Sequence, residues 1–245
     1  MRDLALDDPQ TLAIVVPVVL FAGLVRGFTG FGGPAVMILA FIPFFNPVSV
    51  ITKALMIDLV ANVTLLRSTH HEVDWKVMHT VCIFSFIGAP IGLYALDGVD
   101  PQITKRIIAG VAGACTILMI IGLRFRTTPP AWVNALAGLL AGICLGATMI
   151  AFVIMIYFFA SPVAAAISRA NGVFWGFSMT LLLIFAHIGI GNIAFDDIWR
   201  SLLLGLLYLG GTELGARAFR KVSERNFRKG VMWMMLGLAG AGLIL

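Results

Sequence analysis

Long apolar runs separated by short polar stretches make up most of this chain of 245 residues. The runs lie at residues 11–26, 34–45, 50–66, 77–96 and 103–123 in the first half, and at 131–148, 149–160, 167–190, 200–219 and 230–245 in the second. Several of them reach the length of about 20 residues that a helix needs to cross a bilayer. Run 34–45 would extend only roughly 18 Å, against about 30 Å of hydrocarbon. The pattern therefore predicts an all-α polytopic membrane protein of ten helical elements, in which a hairpin of broken or re-entrant helices opens each half.

Composition supports this class of protein. Hydrophobic residues make up 60% of the chain and charged residues 12%, about half the charged share of a soluble domain. The formal net charge is +5, but six of the 17 basic residues lie between residues 217 and 229, so membrane topology explains the excess better than nucleic-acid binding. Cys82, Cys115 and Cys144 are isolated in apolar segments and are expected to be small buried hydrophobes. We expect a lipid-embedded protein with no nucleic-acid partner, no cofactor, no metal and no cleaved signal peptide.

The two halves resemble one another in residues as well as in hydropathy. Residues 51–54 (Ile-Thr-Lys-Ala) and 64–66 (Thr-Leu-Leu) correspond to 167–170 (Ile-Ser-Arg-Ala) and 180–182 (Thr-Leu-Leu) with the same spacing. Small residues that only let helices pack closely are the alternative explanation. Duplicated halves are common in secondary transporters, whose site lies at the interface of the repeats. We therefore divide the chain into two transmembrane repeats, 1–126 and 127–245, within one compact membrane domain.

The distribution of charge between the loops predicts an orientation. Segments 67–76, 124–130 and 217–229 contain ten Lys and Arg residues, whereas the opposite face would contain four, together with seven Asp residues. The positive-inside rule places the first three segments in the cytoplasm and both termini on the non-cytoplasmic side. Equivalent loops of the two halves then lie on opposite faces of the membrane. We therefore expect two inverted repeats of five elements each.

Residues 26–34, Arg-Gly-Phe-Thr-Gly-Phe-Gly-Gly-Pro, interrupt the helical pattern between the first two runs. Glycine frees the backbone, and Pro34 suits the first position of a new helix because its missing N–H would be unpaired there. Such breaks are tolerated at membrane depth where they line a polar cavity, and the N–H groups of the restarted helix favour an anion. We predict an anion-binding site that contains Arg26, Gly27, Thr29, Gly30, Phe31, Gly32 and Gly33, together with Thr148 and Arg169 of the second half.

Ionisable groups inside the membrane are costly, so each is a candidate for function. The Arg26 guanidinium offers a planar fork to two oxygens of an oxyanion, although a snorkelling or ion-paired arginine would also fit. Lys53 and Arg169 occupy equivalent positions in the two halves, either as the two mouths of an anion path or as snorkelling cations. Asp58 fits a structural ion pair or a proton-coupling carboxylate, and His187 fits a buried histidine or a proton relay. Lys53, Asp58 and His187 are our candidates for gating or coupling.

The residues also resemble a known family. Residues 23–33 are similar to the first-repeat signature of the sulfite exporter TauE/SafE family, and residues 88–94, Arg169 with Ala170, and residues 211–220 are similar to other parts of its pattern. The resemblance implies transport of sulfite, sulfoacetate or related organosulfonates across the bacterial inner membrane. The family often has a Gly-Gly-Pro-type break in its second repeat, whereas residues 148–153 contain no glycine or proline. We therefore expect a more regular second hairpin with a bulkier, more apolar lining.

Together these features predict a transporter, not an enzyme, that moves a small sulfur-containing anion by alternating access at the repeat interface. Export is favoured, because each negative charge that leaves gains about 2.3 kcal/mol per 100 mV. The alternatives are another small carboxylate or a hydrophobic metabolite as cargo, a structural protein, or a membrane-embedded metalloenzyme built on His70, His71, Glu72 and His79, which lack the usual helix-borne zinc spacing. The oligomeric state is open, with a homodimer among the candidates.

Overall fold

The computed structural model describes residues 3–4, 6, 8–29, 32–95, 98–122, 125–193 and 195–219, and the isolated positions 233, 236–237 and 240. Its main helices within this part of the chain are α1 (Pro9–Thr29), α2 (Gly33–Phe41), α3 (Pro47–Thr69), α4 (Trp75–Ala95), α5 (Pro101–Ile121), α6 (Ala131–Thr148), α7 (Phe152–Ala160), α8 (Ala165–Gly189) and α9 (Phe195–Phe219). A short 3₁₀ turn, His70–Glu72, follows α3. The element predicted at 230–245 lies outside the described residues except at isolated positions.

The helices follow the predicted apolar runs closely. Within the described residues, α1, α3, α4, α6 and α8 are long and apolar enough to cross a membrane. Capping fixes some of their starts, as at α3, where the Asn46 side chain accepts a hydrogen bond from Val48 N and Pro47 occupies the first helical position. Asp100 caps α5 in the same way. The prediction of an all-helical protein with several helices of membrane-spanning length and apolarity is confirmed for the residues that the structure describes.

Two pairs of helices cross with their backbones in contact. In α6, Gly138, Gly142 and Gly146 face the backbone of α4, and a Cβ atom at Gly142 would lie 2.8 Å from Ser85 Cα. In α1, Gly23 and Gly27 face α9 in the same manner. Such stripes of small residues allow close helix packing where the hydrophobic effect is weak. Each crossing joins the first helix of one half to the fourth helix of the other half.

Polar contacts at the helix ends define two faces of the bundle. On face one, α3 and α9 begin, and Lys53 near the start of α3 lies 3.2 Å from the Asp197 carboxylate of α9. On face two, α4 and α8 begin, and Asp74 N donates to Asn171 Oδ1 over 2.9 Å. α3 and α8 contact each other between these faces. The middle of α3 therefore lies deep inside the bundle.

The expectation of a more regular second hairpin is wrong. α6 ends at Thr148, α7 begins at Phe152, and Met149 between them adopts φ 58°, in the left-handed region. Thr148 supports this turn, because its hydroxyl donates to Cys144 O over 2.7 Å and accepts from Ile150 N over 3.2 Å. The helix is thus broken without glycine or proline, at a conformational cost of about 1–2 kcal/mol for an L-residue.

Candidate functional site

A partly open cavity lies between the two helix breaks. The first break contributes Gly32, Pro34 and Ala35 to its wall, and the second contributes Met149, Ala151 and Phe152. The remaining lining comes from α1, α3, α6, α7 and α8, namely Arg26, Asp58, Leu145, Met155, Gly172, Trp175, Gly176 and Thr180. We call this space the central cavity.

The starts of two short helices border the central cavity. No side chain caps the N-terminus of α2 at Gly32 or that of α7 at Ala151. Gly32 adopts φ 87°, a conformation that glycine takes without strain. The first N–H groups of a helix have no partner inside the helix, and its dipole favours negative charge there. Two helix N-termini therefore make one cavity suitable for an anion.

Arg26 is the cation of the central cavity, and it is only 7% exposed. Its Nη2 donates to Asn62 Oδ1, and its Nε lies 3.6 Å from Asp58 Oδ1. Asp58 accepts further hydrogen bonds from the Tyr208 hydroxyl over 2.9 Å and from Asn62 Nδ2 over 2.8 Å. The Asn62 amide also lies 3.3 Å from Thr180 Oγ1. Arg26 and Asp58 thus form a buried pair without net charge, tied to α8 and α9.

One donor of this network is still free within the described part of the chain. Arg26 Nε is buried and has no hydrogen-bond partner. A buried unpaired polar group is destabilising, and a charged donor makes strong hydrogen bonds to anionic oxygens. Because Arg26 lines the cavity, its guanidinium is able to bind an oxyanion there.

The local sequence explains how these side chains meet. Asp58 and Asn62 are four residues apart on α3 and therefore share a helix face. Tyr208 comes from α9, which the close crossing at Gly23 and Gly27 holds against α1. Arg26 lies between these two glycines in sequence, in the last turn of α1. The crossing therefore brings Tyr208 and Arg26 to the same carboxylate.

The predicted residues of the first break occupy different environments. Arg26 and Gly32 line the central cavity. Gly27 lies within α1 against the backbone of α9, and Gly33 packs beneath Tyr208, where an added Cβ would lie 2.9 Å from Tyr208 Cζ. Gly30 and Phe31 lie outside the described residues, as does the side chain of Thr29.

The other predicted residues lie away from the central cavity, with the exception of Asp58. Thr148 uses its hydroxyl within the second break, and Arg169 is exposed on α8. Lys53 is buried in an ion pair with Asp197. His187 lines a second, open cavity at face one, where the Asn192 amide nitrogen lies 3.2 Å from its Nδ1.

Sequence reasoning missed three contributors to this site. Tyr208 completes the coordination of Asp58, Thr180 contacts Asn62, and Met149 forms the second break. The sequence does contain a signal for Tyr208 and for Thr180. Tyr208 is a polar aromatic residue in an apolar run, and such a hydroxyl needs a partner when buried. Thr180 belongs to the Thr-Leu-Leu sequence that repeats in both halves.

The profile of the family described as Sulfite exporter TauE/SafE matches residues 15–242. The chain belongs to this family. No curated protein and no solved structure matches this chain. Membership of the TauE/SafE family confirms the predicted resemblance and, with the apolar helices, identifies an integral membrane protein of a transporter family.

The histidine cluster offers this TauE/SafE protein no metal site in the described residues. No group of three or more His, Cys, Asp or Glu side chains there is placed to hold a metal ion. His70 and His71 are exposed, and their ring centroids lie 3.6 Å apart.

Proposed function

We propose that this TauE/SafE protein transports a small sulfur-containing anion, such as sulfite, sulfoacetate or a related organosulfonate, through the central cavity. The observation that carries the proposal is the buried Arg26, whose Nε has no hydrogen-bond partner within the described residues, in the same cavity as two helix N-termini. A guanidinium fork can bind two oxygens of a sulfonate at once. The helix N-termini would stabilise the remaining negative charge.

Alternating access between two inverted repeats, 1–126 and 127–245, is the proposed mechanism. The correspondence of elements supports it, because both halves contain a break followed by a helix of 9 residues, α2 and α7. The two backbone crossings, α1 with α9 and α4 with α6, are also equivalent under such an inversion. The central cavity lies where the two halves meet.

Lys53 and Arg169 are proposed to act at the two mouths of the path. Lys53 joins α3 to α9 on face one through Asp197. In the proposed repeat Arg169 corresponds to Lys53, and Asp74 at the start of α4 corresponds to Asp197 at the start of α9. Arg169 is nevertheless exposed, and Asp74 accepts a hydrogen bond from Lys76 N over 3.1 Å. We propose that the two pairs form alternately. Asp58, in the central cavity, and His187, beside the second cavity, are the remaining candidates for coupling.

Export is the proposed direction, with face two in the cytoplasm of a bacterial inner membrane and the N-terminus on the other side. The basic loop 67–76 and the described residues 125–130, which include Arg126, lie on face two, and this supports the orientation. Loss of negative charge from a cell with a negative interior gains about 2.3 kcal/mol per charge per 100 mV. The membrane potential would therefore drive the anion outwards.

Ligand-induced thermal stabilisation tests the site. The purified protein is heated with sulfite, sulfoacetate, sulfolactate, taurine, sulfate or simple carboxylates, and flux is measured in proteoliposomes. We expect a sulfur anion to raise the Tm of the wild type and of Arg67→Ala, an exposed control, but not of Arg26→Ala. Arg26→Ala and Arg169→Ala should both abolish flux. Unchanged flux in both variants would exclude the proposed site. Stabilisation by carboxylates alone would mean that the transported substrate is a carboxylate and not a sulfur anion.

A further inference from the structure

We propose that Asp58 is a proton-binding site, and that each anion bound at Arg26 is accompanied by one proton on this carboxylate. The idea depends on the proposed function, since it assumes that the anion binds in the central cavity. It adds a second transported species, a proton, and names the group that carries it.

Arg26 and Asp58 supply the two opposite charges of the central cavity. Arg26 is 7% exposed and Asp58 is 3% exposed, and their side chains lie in ion-pair contact. The pair has no net charge, so an anion added to it would leave a negative charge inside the bundle that only the partial charges of the two helix N-termini offset. A buried charge without a partner is strongly unfavourable. Protonation of Asp58 removes its charge and leaves Arg26 positive, so that the anion meets a full counter-charge.

The surroundings of Asp58 offer no other compensating charge within the described residues. Asp58 lies at the middle of α3, and the ionisable groups that face it are Arg26 of α1 and Tyr208 of α9. From α8, the Thr180 hydroxyl contacts the Asn62 amide, which in turn contacts Asp58, and α2 has no charged residue. The other charged residues and the histidine of the helices packed around it lie near the ends of the bundle, at Lys53, Lys105, Arg106, Arg169, His187, Asp196, Asp197, Arg200, Glu213 and Arg217.

The partners of Asp58 favour a proton over a metal cation. Its two carboxylate oxygens accept from the Tyr208 hydroxyl and the Asn62 amide, which present hydrogens rather than oxygen lone pairs. The Asn62 carbonyl oxygen is occupied by Arg26. Hard cations bind through several oxygen ligands, which these contacts do not provide. A proton needs only the carboxylate itself.

The proton balance also affects the driving force. One proton from solvent binds Asp58 as the anion binds Arg26, and both leave together at the opposite face. A monoanion then moves without net charge, whereas a dianion such as sulfoacetate still carries one negative charge. Export of a dianion would thus still gain from the membrane potential.

The pH dependence of sulfoacetate binding to the purified protein tests this linkage. The two acidic groups of sulfoacetate stay ionised around neutral pH, so any titration belongs to the protein. One linked proton predicts an affinity that falls about tenfold for each rise of one pH unit, over the pH range in which anion binding takes up that proton. Asp58→Asn should bind sulfoacetate with no such dependence. Glu72→Gln, which removes an exposed carboxylate, should retain the wild-type slope.

Proton uptake by the wild type gives a second measurement that does not depend on the folding of Asp58→Asn. In weakly buffered solution, binding of sulfoacetate should take up about one proton per anion. Binding without proton uptake, or binding that requires sodium instead, would overturn the coupling and leave the proposed function intact. Failure of every sulfur anion to bind would overturn both.

Discussion

Replacement of Gly27 by alanine should test the close crossing of α1 and α9. Gly27 faces the backbone of α9, and an added Cβ would lie 2.9 Å from Ala216 N and closer still to the Thr212 carbonyl. These atoms are backbone and cannot rotate away, so the two helices must separate. Gly210 on α9 is the matched control, because nothing lies within 4 Å of a Cβ built there.

The magnitude follows from two opposing effects. Overpacking of a close contact typically costs about 1–3 kcal/mol. Alanine in place of glycine gains up to about 1 kcal/mol of helix propensity, and at Gly210 only this gain remains. Because both variants share this gain, they should differ by the cost of overpacking alone, about 2 kcal/mol. For a chain of this length, that difference corresponds to roughly 4–8 °C in Tm.

Thermal unfolding in detergent provides the assay, with sulfoacetate binding as a second measurement. Gly27→Ala should melt below the wild type and bind less sulfoacetate, because Arg26 is its immediate neighbour in α1. Gly210→Ala should melt at or above the wild-type temperature. Equal Tm values for the two variants would refute the close crossing. Wild-type sulfoacetate binding by Gly27→Ala would mean that anion binding does not depend on this crossing.

Two further substitutions test other contacts. Lys53→Asp and Asp197→Lys should each reduce flux in proteoliposomes, because each places like charges at the contact between α3 and α9. The double variant should restore flux. A double variant whose loss of flux equals the sum of the two single losses would argue against a gating pair. Met149→Gly should lower the Tm, because loss of this buried side chain costs about 2–5 kcal/mol and outweighs the relief of about 1–2 kcal/mol of left-handed strain; a higher Tm would mean that the strain dominates.

Much of the architecture is predictable because local physics determines it. Apolar run length gives the helices, and Pro47 and Asp100 mark helix starts to within a few residues of the predicted bounds. The first break is predictable because glycine and proline alter the backbone wherever they occur. Arg26 stands out because an arginine in an apolar run needs a counter-charge or a ligand.

The rest of the site depends on contacts between distant segments. Asp58 and Tyr208 are 150 residues apart, and no local pattern pairs them. Met149 adopts its left-handed conformation because the surrounding structure imposes it against its intrinsic preference. Gly27 looks like part of the break in sequence, yet it serves the crossing with α9. These features follow from how the helices pack, which a single sequence does not specify.

The first helix of each half packs against the fourth helix of the other half, and this arrangement has a consequence for biosynthesis. When α6 is made, its partner α4 is already in the membrane, whereas α1 must wait until Phe195–Phe219 has been translated. At about 5–20 residues per second, that interval is on the order of ten to thirty seconds. During this time Arg26 already has Asp58 of α3 to neutralise it, but the carboxylate lacks Tyr208. A nascent chain stalled before α9 would therefore present an unpaired glycine face to lipid, a feature by which quality-control proteases could recognise it.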